Sequence, residues 1–112
     1  MTLIVDIRLL DLYDDVLGLR VASEDQETFD FFEEQGLLGD GCTWQAIVDA
    51  LVRAQMPDEC DKLEMTCETE SLLVISTDRA LLERVQALVR EAAQSEEAIL
   101  RAIADADPDM LE

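Results

Sequence analysis

Nucleophilic catalysis needs a base beside its nucleophile, and this 112-residue chain contains no histidine. Neither a Ser-His nor a Cys-His pair can be assembled from it. Its three cysteines, at 42, 60 and 67, are odd in number and lack C-x-x-C spacing, which removes the usual zinc sites. The four glycines form neither a G-x-G-x-x-G nor a Walker pattern. Carboxylates are the one abundant reactive type. With 27 Asp and Glu in the chain, accidental pairs are expected, and none comes with a recognisable nucleophile, base or phosphate loop. Asp105-Ala106-Asp107-Pro108-Asp109 copies the first ligands of a calcium loop, but Met110 stands where that loop needs glycine and Glu112 falls short of its twelfth position. An acidic tail accounts for the string. The expectation is a protein with no catalytic residues, no metal and no cofactor.

The elements that position these side chains are legible from periodicity. Residues 3–12 and 16–22 are two β-type runs flanking the acidic break Tyr13-Asp14-Asp15, which predicts an antiparallel hairpin; Leu9, Leu10 and Leu12 blur the alternation and leave a short helix as the alternative. Ser23 with Gln26 has capping-box spacing and predicts a helix over 24–35, stopped by Gly36, with Phe29 and Phe32 on one face. A Gly-rich connector follows at 37–41. Thr43 is positioned to cap a second helix over 44–55, ended by Pro57. Residues 62–68 and 71–76 read as a second hairpin. From a cap at Thr77 or Asp78, Leu81, Leu82, Val85, Leu88, Val89 and Ala92 repeat at three and four, and Ser95 opens a last helix ending near Asp105. The order ββααββαα predicts an α+β fold, a four-stranded antiparallel sheet packed with helices, in one domain over 1–112. Trp44 fits an exposed interface anchor, but its place at the start of an amphipathic helix favours the core.

Odd cysteine usage favours a reducing compartment, with the cysteines as small buried apolar groups. The first residues show no basic n-region or long apolar h-region, so no signal peptide is indicated, and no apolar run approaches the roughly 20 residues of a membrane span. A cytoplasmic protein is expected.

Charge is the most informative property. The net charge is −19, and residues 1–40 hold 11 acids against Arg8 and Arg20 alone. Residues 24–34 are denser still, with six acids and no base. Such a field repels nucleic acid and anionic membranes and attracts basic protein surfaces, raising association rates by about 10 to 10³ fold. Solubility alone is the plainest reading of it.

From Phe29 onward the chain resembles the immunity protein 51 family of bacterial polymorphic-toxin systems. The matching run is Phe32-Glu33-Glu34 ahead of a Gly-rich turn, then Gly39, Gly41 and Trp44 opening a helix with Ile47, Ala50 and Leu51, Met56-Pro57, Leu63-Glu64, and Glu68 leading to a strand that ends at Ser76. The chain departs from the family pattern at Cys42, where an aromatic is expected, and at Thr66-Cys67-Glu68, where Asp-x-Glu is expected. The resemblance implies a cytosolic antidote that binds and silences a cognate toxin. A basic toxin cleft would be met by Asp30, Glu33, Glu34, Asp40 and neighbours such as Glu27, with Asp14 and Asp15 as the second choice. The alternative from another class is a phage-type acidic inhibitor that mimics nucleic acid against a host defence protein. A small enzyme or ligand-binding module would require a polar pocket.

Overall fold

A computed structural model describes residues 3–110. Strands β1 (Val5–Tyr13) and β2 (Val16–Ser23) form the first hairpin, and β3 (Glu64–Cys67) and β4 (Leu72–Ser76) the second. Asp14 takes φ +45 in the two-residue turn between Tyr13 and Val16, the left-handed geometry that tight hairpin turns demand and Asp tolerates. The hairpin alternative therefore holds over the helical one; a bulge between Asp11 and Tyr13 breaks the alternation at Leu12, and the Leu9-Leu10 run places one leucine on each face of the strand. The two hairpins join through β2 and β4, giving the antiparallel order β1-β2-β4-β3.

Alternation sends Ile7, Leu19, Val21, Leu72 and Val74 to one face, where all five are buried. Helices α2 (Gly41–Gln55) and α3 (Arg79–Ala93) cover that face, and α4 (Glu96–Asp105) packs on both. The short α1 (Gln26–Glu34) joins the core through Phe31 and Phe32. Trp44 is fully buried, edge-on to Phe32 with ring centroids 5.4 Å apart, and its indole N–H donates to Ser23 Oγ at 2.9 Å. It belongs to the core, with its polar edge satisfied.

Three local expectations are corrected. Ser23 does not cap α1, because it is still paired in β2 with Val5 and receives the Trp44 indole; Asp25 caps instead, accepting from Thr28 N at 3.0 Å. The buried side of α1 is then Thr28, Phe31 and Phe32, with Phe29 only partly buried. Thr43 lies inside α2 rather than at its cap: Asp40 accepts from Thr43 N at 3.0 Å, so the helix starts at Gly41. Asp78 and Ser95 cap α3 and α4 as expected. A 3₁₀ turn over Pro57–Lys62 separates α2 from β3 and shortens the strand anticipated over 62–68.

The cysteines are also corrected. Cys42 and Cys67, 25 residues apart in sequence, form a disulfide with Cα atoms 4.9 Å apart, and Cys60 is a partly buried free thiol. Pairing became available because the first turn of α2 lies against the end of β3, a proximity that spacing alone does not reveal.

Candidate partner-binding surface

On α1, Glu27, Asp30 and Glu34 are spaced to share one helix face, Glu33 stands beside Asp30, and all four are exposed opposite the buried Thr28, Phe31 and Phe32. Asp30 accepts from Gln26 Nε2 at 2.9 Å. Among the described residues none of these four acids has a basic partner within ion-pair distance. Elsewhere four acids are matched locally: Asp49 with Arg53, Glu83 with Arg79, Glu97 with Arg101, and Glu59 with Lys62 across the 3₁₀ turn. The hydrogen bond and charge of Glu59 raise the Lys62 ammonium above the ordinary lysine pKa. Among the described residues the first helix thus presents a run of uncompensated negative charge, while α2, α3 and α4 each carry one matched Arg–acid pair.

The connector after α1 is shaped by two left-handed glycines, Gly36 at φ +78 and Gly39 at φ +74. They set Leu38 out in solvent, 72% exposed. Gly39 N–H donates to Thr43 Oγ1, which donates in turn to Asp40 Oδ1, and the Gly39 carbonyl accepts from Ser23 Oγ. Asp40 is therefore partly buried and committed to starting α2; it borders the acidic face rather than belonging to it.

Gly41 decides what lies next to this end. A Cβ at that position would stand 2.1 Å from the Ser71 carbonyl oxygen and 2.3 Å from that of Glu68, so glycine alone permits α2 to rest on the β3–β4 turn. The contact and the Cys42–Cys67 bond carry the exposed Glu68 and Glu70 to the same end of the sheet as the α1 connector. Sequence reasoning missed both, although the Glu68-Thr69-Glu70 turn was visible; assigning it to this end required the strand order. Asp14 and Asp15 lie at the opposite end of the sheet, a β2 length or roughly 25 Å away. The candidate acids thus form two separate acidic ends.

A hollow of about 370 Å³ between α2, α3 and α4 is lined largely by Ala and Leu side chains, with Glu91, Arg101 and Asp105 among its polar members. Among the described residues no group of three or more His, Cys, Asp or Glu is placed to hold a metal ion, and no helix is long and apolar enough to cross a membrane.

A surface with strong uncompensated charge is suited to binding, and the family comparison agrees. The family described as immunity protein 51 matches residues 10–108. The chain belongs to that family. The match runs from the middle of β1 through α4, so it takes in the acidic helix, the glycine connector and the β3–β4 turn. No curated protein and no solved structure matches the chain. Within this immunity protein, the residues that depart from the resembled pattern, Cys42 and Thr66-Cys67, fall at the disulfide that ties the start of α2 to the end of β3.

Proposed function

We propose that the chain is the antidote to one cognate toxin domain and silences it as a stoichiometric, non-enzymatic inhibitor acting in the cytoplasm. The partner is a toxin with a basic surface, such as one that attacks nucleic acids or nucleotides. Glu27, Asp30, Glu33 and Glu34, backed by Asp40, Glu68 and Glu70, compete for the positive charges that would hold the toxin's substrate; Asp14 and Asp15 offer a second acidic contact. The observation that carries this reading is the contrast among helices. Among the described residues, one acid on each of α2, α3 and α4 has an arginine partner one turn away, whereas Glu27, Asp30, Glu33 and Glu34 on α1 have no basic partner within ion-pair distance. An unmatched cluster contributes little to folding but strengthens the field a basic partner meets.

The test is co-purification with the toxin encoded beside the chain's gene, followed by growth rescue on co-expression. Rescue with a one-to-one complex is expected. Persisting toxicity with both proteins folded and present would sink the proposal. Within a working complex, Glu33→Lys with Glu34→Lys should slow association about tenfold and flatten its salt dependence; unchanged rates would move the contact off α1.

A further inference from the structure

We propose that the face of the sheet turned away from the helices is the apolar core of the toxin-docking surface, an inference that rests on the antidote reading above. Antiparallel sheets with one solvated face normally place polar residues on it. Here Leu10 of β1, Gly18 of β2 and Ile75 of β4 stand side by side across three strands. Leu73 and Leu12 lean over Gly18, their nearest methyls 2.8 and 3.2 Å from where its Cβ would be. Leu10, Leu12, Leu73 and Ile75 are all partly exposed and adjoin Gly18, while the half-exposed Ile4 shares the face beyond Asp6 and Arg8. A continuous apolar patch on a chain of net charge −19 marks an interaction site.

The charged residues of this face on β1 and β2 are tied to one another. Arg8 and Arg20 are directly opposed across β1 and β2, and Asp6 pairs with both, at 2.8 Å to Arg8. Asp6 gives both arginines a counter-ion within the face. Around it the charge is negative: Asp14 and Asp15 at one end, Glu64 on β3, and Glu68 and Glu70 at the other end. An apolar centre with a charged rim is the anatomy of a protein interface, and this rim selects a partner whose own apolar patch is ringed by bases.

That charge pattern separates the toxin from other occupants. Two copies of this chain packed face to face would set acidic rim against acidic rim. Nucleic acid shares the sign of the rim and has no apolar patch to offer. Strand addition at β1 is opposed by α3, because the Ile7 carbonyl already accepts from Gln86 Nε2 at 3.4 Å and Arg90 at 3.3 Å. The contact is therefore with the face of the sheet, not its edge.

The experiment uses the full chain and the purified catalytic domain of the toxin encoded beside its gene. Leu10→Ser with Leu73→Ser should weaken binding about 30-fold or more, mainly through faster dissociation, as loss of a buried anchor does. Thr66→Arg, at an exposed position of the same face, should weaken it without touching the core. On titrating the unaltered chain with toxin, the methyl resonances of Leu10, Leu12, Leu73 and Ile75 should shift. Variants that bind like the parent, with those methyls unmoved, overturn the inference and leave the antidote reading standing. A parent chain that does not bind the toxin overturns both. A parent that self-associates, and loses self-association with Leu73→Ser, assigns the face to a second copy instead.

Discussion

The two faces of the sheet are made by the same four strands, yet the helices cover only one of them. On the covered face Leu19 lies opposite Val74, both fully buried under the helices. On the open face Leu73 lies between Arg20 and Thr66, partly exposed, with an Asp6-centred ion pair beside it. Burial on the first face contributes to folding directly, since about 25 cal/mol is gained per Å² of apolar surface removed from water. Apolar surface left on the second gains nothing until something covers it. The difference teaches that one side of the sheet commits its apolar surface to stability while the other leaves it uncovered, the division that the proposed docking role requires.

The largest expected effect tests that division outright. Leu19→Ala should destabilise the chain by about 3 kcal/mol in denaturant unfolding, whereas Leu73→Ala should cost about 1 kcal/mol or less. Equal losses would erase the contrast. The glycines repeat it on a second scale. Added at Gly18, a methyl meets only the ends of Leu73 and Leu12, which can move; at Gly41 it meets two backbone carbonyls, which cannot. Gly41→Ala should therefore cost about 3 kcal/mol and release α2 from the β3–β4 turn, while Gly18→Ala stays within about 1 kcal/mol.

Removing the covalent tie sharpens the comparison further. Under oxidising conditions Cys42→Ser should lower stability by about 3 kcal/mol, the chain-entropy value for a loop of this length, and a reductant should bring the parent down to the variant. In a reducing compartment the pair would stand as adjacent thiols, with the Gly41 contact still holding the junction. A smaller loss, about 1 kcal/mol, is expected for Asp40→Ala, which removes the α2 cap. The smallest effect belongs to Glu33→Lys with Glu34→Lys. Among the described residues these exposed acids have no ion-pair partner to lose, so thermal unfolding should be unchanged or slightly improved while toxin association slows. A marked loss of stability would show that α1 is held by its charges.

Much of this architecture could be read from residue patterns, because each strong period had a single burial solution. The Leu and Val repeat of α3 and the alternation of β4 allowed only one side to face inward. Caps were less legible. Ser23 and Thr43 had suitable chemistry for helix starts, but tertiary partners claimed Ser23 and the neighbouring Asp40 took the role given to Thr43. The acids of α1 were visible as a dense run, and the structure adds only that their face is unpaired. Glu68, Glu70 and the disulfide were not visible, since each depends on which end of the sheet meets α2. The open-face patch stayed hidden for a related reason: Leu10, Leu12, Leu73 and Ile75 look like core residues until the helices are seen to cover only the other side.

Titrating the toxin's catalytic domain with the purified chain and following residual toxin activity tests the central claim most directly. A stoichiometric antidote predicts a linear fall to zero at one equivalent, with activity returning as high salt loosens the complex. Inactivation by far less than one equivalent would indicate turnover. Undiminished activity in excess antidote would contradict the account altogether.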